Sequence, residues 1–590
     1  MTVDADPAPP GILQRYLDQP ITWSVCAFDG DVKQTYPQAP TTMCATVKVP
    51  MDWHNPDAHS DIRLSIAHSQ ALGASKGLLT ANPGGPGSAG VFMPAYLASY
   101  KPQMFHDFDL VGFDPRGFGG SERLRCLTTA EKLNNLPVTA DYKRRDQQTH
   151  LAEVAEAELL AEACAATEFG QFVSSQQTVY DMEFLRALVA KPKLSFIGVS
   201  YGTWLGGWYA DTYPTKVGRF ILDSNMDWTH THWENMSMDP MSGQRRRDSQ
   251  LLPWLARHAD DIEGLGATPA EVSAKYETIR ARLVQMVDAG TSSVRGDSLD
   301  MMIYGDTYGN VRFVRAAIDI LVHDEYVKGP GTTGKVALIH VDNAWSRIGR
   351  TLQRYDSLSA IRARYGVVPV NAETAAASQL TTRNTLLTKA REQAAKAVAP
   401  SQQINLGSFG MTVRCNDSRW SKNVQYYLDE ADRMTSAYPF AGYLNGVPMC
   451  AFWNHEPQDR VADLQNAPQV LMLQSELDPA TAYEGGLRTH RAISPHSRFV
   501  AVDDEGHHSL YFGVPASCIQ DVGDSFLFNG ELPNADVVCG TVPLPGDAVV
   551  YPVAGPVDQS VATTSSSQNV FGSSPLLQQV MDANANHLVR

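Results

Sequence analysis

The stretch from Leu194 to Gly206 constrains this chain more than any other part of its sequence. It begins with a short apolar run that is typical of a buried strand, and from Thr203 to Ala210 it has the pattern of a helix that packs through small residues. Between them lies Gly-x-Ser-x-Gly, with Ser200 at its centre. The two glycines let strand and helix approach each other, so the serine projects from a tight turn above the sheet edge. The motif alone also occurs in ordinary loops.

Size and charge exclude several classes of protein. The chain has 590 residues, which predicts more than one domain, and 43% of them are hydrophobic, enough for a large core. A formal charge of −16 argues against nucleic acid and anionic membranes as partners. No run of 18 apolar residues exists, so no transmembrane helix is predicted. Residues 1–25 lack an apolar signal segment, so we expect either a cytosolic protein or the mature form of an exported one.

The cysteines favour the exported alternative. No Cys-x-x-Cys is present, so neither a zinc site nor a thioredoxin-like site is indicated, and no metal or cofactor is predicted. An even number of cysteines predicts disulfides and an oxidising compartment, although spacing alone leaves their connectivity open. Eight buried thiols in a cytosolic enzyme are the alternative. We expect neighbours to pair: Cys26 with Cys44, Cys126 with Cys164, Cys415 with Cys450, and Cys518 with Cys539.

Short apolar runs alternate with helical patterns over the first 225 residues. This alternation predicts an α/β fold with a mostly parallel sheet. The strands are expected at 44–49, 62–68, 77–80, 108–113, 194–199 and 219–223, and the helices at 151–168 and 179–189. The first of these helices is interpreted as a solvent-facing crossover.

After Asn225 the alternation stops, which predicts four segments. Residues 1–225 form the first part of the α/β core, beginning with a Pro-rich arm over residues 1–40. Residues 226–400 form an inserted helical cap, with helices at 271–289, 311–323 and 382–399. Strands return at 469–474 and 498–502, so residues 401–540 complete the core. Residues 541–590 are interpreted as an extension outside the catalytic fold.

Two early loops follow strands and could support a reacting serine. Pro83–Ser88 is a Gly/Pro loop that exposes backbone amides. A phosphate-binding loop is excluded because no Gly-Lys-Ser/Thr follows, so we expect an oxyanion hole made by the amides of Gly85 and Tyr201. Arg116, in the next loop, either pairs with a carboxylate to brace the site or caps a helix end.

Two late strands each lead into a candidate catalytic residue, Asp478 after the first and His507 after the second. The order Ser200, Asp478, His507 is that of α/β-hydrolases. The chemistry needs this set, because a serine attacks only when a base takes its proton and a carboxylate holds the base in the correct tautomer. The sequence therefore predicts a serine hydrolase. His508 is the alternative base, and Glu476 the alternative acid.

The same residues carry a resemblance to a known family. Pro83-Gly84-Gly85-Pro86-Gly87 resembles the His-Gly-Gly-Pro-Gly loop of proline iminopeptidases, with Pro83 in place of the histidine. Asp114–Ser121 is similar to their Asp-x-Arg-Gly-x-Gly-x-Ser. With Leu477-Asp478-Pro479, Gly506-His507 and the Cys518–Cys539 region, the pattern resembles the secreted tripeptidyl aminopeptidases of actinomycetes over roughly residues 20–540.

The resemblance implies a secreted α/β-hydrolase that binds peptides and releases tripeptides from a free N-terminus. In this family an acidic group near the cap holds the substrate ammonium, for which Asp227, Glu234 and Asp417 are weak candidates. The residues alone favour the alternative, an ordinary surface acid, for each of the three. The same fold also serves esterases and lipases, iminopeptidases that release single residues, and non-catalytic binding proteins. Sequence does not give the oligomeric state or the residue preferred at the scissile bond.

Overall fold

A large, mostly parallel β-sheet forms the centre of the computed structural model of the protein. The structure describes residues 11–27, 42–259, 265–289, 296–304, 387, 390–391, 393–397, 399–458, 462–544 and 547–557. The strands in these ranges are β1 (Ser24–Val25), β2 (Met43–Val49), β3 (Ile62–Ser69), β4 (Leu78–Asn82), β5 (Asp109–Phe113), β6 (Leu127–Thr129), β7 (Leu194–Val199), β8 (Val217–Asp223), β9 (Gln403–Asn405), β10 (Val470–Ser475), β11 (Ser497–Asp503) and β12 (Val537–Gly540).

In the main sheet the described strands follow the order β1-β2-β3-β5-β4-β7-β8-β10-β11-β12. Neighbours from β5 to β12 are parallel, and β1, β2, β3 and β5 pair antiparallel. A second, small sheet pairs β6 with β9. Strands β4, β7 and β10 are buried along their whole length, as expected for parallel strands covered on both faces. The α/β class with a mostly parallel sheet is thus confirmed.

The helices cover both faces of this sheet and the region after β8. They are α1 (Gln14–Leu17), α2 (Met93–Tyr100), α3 (Pro102–Asp107), α4 (Ala130–Asn134), α5 (Gln147–Ala165), α6 (Ser175–Leu188), α7 (Tyr201–Thr212), α8 (His232–Met236), α9 (Asp239–Arg246), α10 (Leu252–Arg257), α11 (Pro269–Asp288), α12 (Gly296–Tyr304), α13 (Phe409–Asp417), α14 (Val424–Ala437), α15 (Tyr483–Ile493), α16 (Leu510–Gly513) and α17 (Ser517–Asp524). In the described part of the chain, no helix is long and apolar enough to cross a membrane.

The register of the parallel strands brings their carboxyl ends to one level. Val199 lies opposite Asp223, Asp223 opposite Leu473, and Ser475 opposite Val502. Residues that directly follow β7, β8, β10 and β11 therefore meet at one edge of the sheet, where open α/β folds bind their ligands.

The region predicted as a cap is helical where the structure describes it. Helices α8 to α12 follow β8 without an intervening strand, and α11 matches the helix expected at 271–289. The helix expected at 311–323 lies outside the described residues, and so does half of the one expected at 382–399, whose described residues are helical from 387 to 395 where the structure gives them. The segment boundaries at 225, 400 and 540 stay predictions.

Two expectations about the periphery need correction. Helix α5 is not a solvent-facing crossover, because it buries the carboxylates of Glu153 and Glu156. Arg145 pairs with Glu153 at 2.6 Å, and the Tyr142 hydroxyl donates to Glu156 at 2.7 Å, so both acids are compensated. The described part of the tail, residues 541–544 and 547–557, does not stand apart from the catalytic fold either. The Val557 amide donates to Glu476 at 2.8 Å, in the loop that follows β10.

All eight cysteines are described, and they form the four neighbour disulfides that the sequence predicts. Cys26–Cys44 ties the N-terminal arm to β2, and Cys126–Cys164 ties β6 to α5. Cys415–Cys450 fixes the end of α13, and Cys518–Cys539 joins α17 to β12. These covalent links fit a protein folded in an oxidising compartment.

Arg116 forms a fully buried ion pair beneath the site. Its guanidinium binds both carboxylate oxygens of Asp181 on α6, at 2.8 and 2.7 Å, and neither side chain is exposed. It also donates to the carbonyl of Met51 at 2.6 Å. Of the two roles considered for Arg116, bracing by a carboxylate is the one observed.

We expect Asp181→Asn to destabilise the fold by about 3–5 kcal/mol, because it leaves the buried Arg116 charge uncompensated. Urea unfolding followed by tryptophan fluorescence measures this. The matched control is Glu162→Gln, which removes an exposed pair with Lys132 and should cost about 1 kcal/mol or less. Equal shifts in the two variants would contradict a bracing role for Arg116.

Candidate active site

Ser200 lies on a strained turn between β7 and α7. Its backbone has φ 60° and ψ −124°, and its amide donates to the carbonyl of Asp223 at 2.9 Å. A Cβ atom at Gly198 would lie 2.4 Å from the Gly202 carbonyl oxygen, so only glycine allows this turn. The sequence around Ser200 therefore folds as a nucleophile elbow requires.

The structure brings His508, rather than His507, against Asp478. The His508 Nδ1 atom lies 2.9 and 3.1 Å from the two carboxylate oxygens of Asp478. Asp478 also accepts hydrogen bonds from the Thr481 hydroxyl at 2.7 Å and from the Ala480 amide at 2.9 Å. These bonds fix the carboxylate and leave Nε2 of His508 as the ring atom that can take a proton.

The preference for His507 from sequence therefore changes to His508. The His507 amide donates to Glu505 at 2.7 Å, and its carbonyl accepts from the Ser475 hydroxyl. Burial, together with the charges of His508 and Arg246, lowers the pKa of His507 to about 3. An imidazole with that pKa is a poor proton acceptor. The sequence favoured the histidine directly after glycine, but the ring that faces Asp478 belongs to the next residue of the loop.

Glu476, the alternative acid, faces away from His508. Its two carboxylate oxygens accept the amides of Val557 and Asp504, both at 2.8 Å. Burial raises the pKa of Glu476 to about 7. Its oxygens lie within 4.8 Å of those of Asp503 and Asp504, but they hold the chain tail in place, so we assign no ion to this cluster.

Asp478 and His508 shift each other's ionisation. Burial alone would lower the pKa of His508, but the charge of Asp478 and the hydrogen bond to it outweigh burial and raise that pKa. Burial would likewise raise the pKa of Asp478, but His508 and the hydrogen bonds from Thr481 and Ala480 lower it. The pair thus favours a carboxylate beside an imidazole that readily accepts a proton.

The two atoms that would exchange a proton are both available for reaction. Among the described residues, neither the Ser200 hydroxyl nor His508 Nε2 has a hydrogen-bond partner, although both are buried. A nucleophile and its base need such unoccupied atoms, so the two are free to react with a substrate.

The end of β8 holds the serine turn and the histidine loop together. The Asp223 carboxylate accepts the amides of Leu510 and Tyr511 at 2.9 and 2.8 Å, and the Ser224 hydroxyl accepts the Ser509 amide at 2.8 Å. Burial raises the pKa of Asp223 to about 6. Sequence analysis missed both residues, although Asp223 and Ser224 end a strand as the other site residues do.

The Gly/Pro loop packs directly against the serine turn. A Cβ atom at Gly84, where φ is 104°, would lie 2.7 Å from the Val199 carbonyl oxygen and 2.8 Å from Cβ of Ser200. The Gly84 amide is already used, since it donates to Asn82 at 2.9 Å. Gly85 is the next donor in this loop, and Tyr201 begins α7, whose first amides have no partner within the helix. Both candidate oxyanion donors therefore flank Ser200.

None of the three acids proposed from sequence is free in the cleft beside this site. Asp227 is fully buried and bonded to Arg488, Thr229 and Thr489. Asp417 is fully buried against Ser175 and His232. Glu234 is exposed and forms the capping box of α8 with Thr231.

Another acid, Asp239, lines the cleft next to the triad candidates. This active-site cleft is also lined by the Gly/Pro loop and by Thr481, the donor to Asp478. Asp239 begins α9, is half-buried, and makes no hydrogen bond or ion pair with the described residues. Desolvation raises the pKa of Asp239 well above its ordinary range, the charge of Arg414 opposes the shift, and the charge of Asp478 adds to it. Arg414, from α13, lines the same cleft. No sequence signal marked Asp239, which resembles an ordinary acid in the first turn of a helix.

Two family models match the chain. One, described as "alpha/beta hydrolase fold", matches residues 79–327, and the other, described as "TAP-like protein", matches residues 438–539. They agree with the sheet topology and with the serine at its strand-to-helix turn. The protein is a serine hydrolase of the α/β-hydrolase fold.

Several proteins with known names are similar to this chain over most of its length. The tripeptidyl aminopeptidase of Streptomyces coelicolor is 26% identical over 538 residues, which cover 88% of this chain and 86% of that protein. The serine protease Hip1 of Mycobacterium tuberculosis is 24% identical over 546 residues, covering 89% and 91%. Carboxylesterase B of Mycobacterium tuberculosis is 25% identical over 533 residues, covering 88% and 89%. Over most of its length the chain is therefore similar to serine peptidases of the α/β-hydrolase fold, among them the tripeptidyl aminopeptidases.

Replacing the two adjacent histidines should separate their roles. We expect His508→Ala to lower kcat at least about a thousandfold, as Ser200→Ala should, because both remove the proton transfer. His507→Ala should cost much less in kcat. Turnover of a chromogenic ester measures these effects, with circular dichroism as the test of folding. A folded His507→Ala variant as inactive as His508→Ala would contradict the assignment.

Activity on a substrate without an amino group should fall as the pH drops through the pKa of His508. Only neutral imidazole accepts the serine proton, and this pKa is raised. The acid limb of kcat/KM, measured with an acetyl ester, should therefore have its midpoint above about 6.5. A midpoint well below that value, toward the pKa of about 3 of His507, would favour His507 instead.

Proposed function

We propose that this protein is an exopeptidase that releases tripeptides from the free N-terminus of peptides, with Ser200, His508 and Asp478 as its triad. The observation that carries the proposal is Asp239, a carboxylate in the active-site cleft without a partner among the described residues. An ammonium that leaves water needs a fixed negative charge, and Asp239 can supply it.

The reaction proceeds through an acyl-enzyme. The Ser200 oxygen attacks the scissile carbonyl while His508 Nε2 takes the hydroxyl proton, and Asp478 stabilises the imidazolium. The amides of Gly85 and Tyr201 donate to the oxyanion that forms. His508 then gives the proton to the departing amine as the C–N bond breaks. A water molecule, deprotonated by His508, hydrolyses the ester and frees the peptide acid and Ser200.

Asp239 would also set the length of the released fragment. An extended residue spans about 3.3–3.6 Å, so an ammonium three residues before the scissile bond lies roughly 10 Å from the serine. The raised pKa of Asp239 fits an acid that is uncompensated until a cation binds. Relatives named tripeptidyl aminopeptidase support release of tripeptides rather than single residues.

An esterase is the second candidate, because one relative is named Carboxylesterase B. The same triad would cleave esters, so chemistry alone does not separate the two functions. The cleft does offer a distinction, since an ester of a simple acid has no ammonium for Asp239. We also propose that the enzyme is secreted, which the four disulfides support.

Acetylation of a tripeptidyl anilide should lower kcat/KM at least about tenfold, because it removes the charge that Asp239 binds. Asp239→Asn should lower kcat/KM for the free amine by a similar factor and leave the acetylated substrate nearly unchanged. Mass spectrometry should find one tripeptide product.

Glu234→Gln is the matched control, since Glu234 was a candidate from sequence but caps α8 at the surface. It should leave both substrates unaffected. Equal cleavage of the free and acetylated anilides would exclude an aminopeptidase, and release of single residues would exclude the tripeptide length. Cleavage of simple esters with no cleavage of anilides would favour the esterase.

A further inference from the structure

Arg414 is a half-buried cation in the active-site cleft, and its backbone is firmly held. It lies in the last turns of α13, next to Cys415, which is bonded to Cys450. Its carbonyl accepts the indole N–H of Trp420 at 3.0 Å. The guanidinium therefore occupies a defined position in the cleft that also contains Asp239.

The contacts of this guanidinium leave its charge uncompensated. Nη2 donates to the Gly85 carbonyl at 3.4 Å, Nη1 lies 3.8 Å from the Met411 sulfur, and Nε is buried without a partner. Within the described ranges, no carboxylate lies within ion-pair distance of Arg414. Buried arginines elsewhere do have carboxylates: Arg116 pairs with Asp181, and Arg280 pairs with Asp141 and Asp300.

A cation that is partly desolvated and has no partner is costly, so Arg414 in this cleft indicates a ligand of opposite charge. Burial lowers the pKa of Arg414, while the negative charge of Asp239 opposes that shift. Asp239 is too far away to form an ion pair and is the site proposed for the substrate ammonium. The substrate is therefore the remaining source of a negatively charged group for Arg414.

We propose that Arg414 binds a carboxylate side chain of the peptide, so that the enzyme prefers an acidic residue at one of the two positions before the scissile bond. The position follows from the Gly85 contact, because Gly85 is the proposed oxyanion donor and adjoins the scissile carbonyl. This inference rests on the proposed function and specifies its substrate class. A planar guanidinium suits a carboxylate, which it can bind through two hydrogen bonds.

The test is a matched set of free-amine tripeptidyl anilides: Ala-Ala-Glu against Ala-Ala-Gln, and Ala-Glu-Ala against Ala-Gln-Ala. Glutamate and glutamine have the same shape, so their ratio isolates the charge. At one of the two positions we expect kcat/KM for glutamate to exceed that for glutamine at least about tenfold. Arg414→Gln should reduce the ratio to about one, and Arg414→Lys should restore part of it.

Arg419→Gln is the control, because Arg419 is an exposed arginine five positions along the chain. It should leave the glutamate-to-glutamine ratio unchanged. Equal rates for glutamate and glutamine at both positions would overturn the inference and leave the exopeptidase standing. Loss of both substrates to the same extent in Arg414→Gln would also overturn it, and would assign Arg414 to positioning of the Gly85 carbonyl. If no free-amine anilide is cleaved while simple esters are, the proposed function itself fails, and this inference fails with it.

Discussion

The site depends on the carboxyl end of β8, where one short segment holds two loops that are far apart in sequence. The Asp223 carbonyl accepts the Ser200 amide, while the Asp223 carboxylate and the Ser224 hydroxyl accept three successive amides after His508. Parallel pairing puts β8 between β7, which carries the serine, and β10, which carries Asp478. The elbow and the histidine loop therefore keep their relative position without contributing to each other's folding.

The ionic groups away from the surface are of two kinds: those that have a partner of opposite charge within the protein and those that do not. Structural ones, such as Arg116 with Asp181 and Glu153 with Arg145, have partners within the protein and hold elements together. Asp239 and Arg414 share one cleft and have no ion-pair partner among the described residues. Because a partly desolvated charge without a partner is costly, the cleft suits a ligand that carries both signs. A peptide with a free N-terminus and an acidic side chain has this property.

The chain tail contributes to the same edge of the sheet. Its Val557 and Val553 amides bind the carboxylates of Glu476 and Asp504, in the loops after β10 and β11. The Thr541 hydroxyl donates to Glu505, which in turn holds the amides of Gly506 and His507. A segment without a periodic pattern thus supports the loop that carries His508, the proposed base, through hydrogen bonds that no local sequence pattern encodes.

Local sequence was sufficient for strands β2 to β5, β7, β8, β10 and β11 and for the Ser200 turn, because their signals are contiguous: apolar runs, and glycines flanking a serine. It did not predict the end strands β1 and β12, and it favoured neighbour pairs of cysteines without fixing them. The sequence also predicted that Asp478 and the Gly506-His507-His508 loop lie at the same edge of the sheet, since both directly follow strands. Which of the two adjacent histidines faces Asp478 depends on the path of the loop that carries them. Which acid of the cleft is unpaired depends on which carboxylates bind other residues of the protein. Asp227 and Asp417 are paired and Asp239 is not. Those outcomes arise from contacts between separate segments, 30 residues apart for His508 and Asp478 and 261 apart for Arg488 and Asp227, so only the tertiary structure decided them.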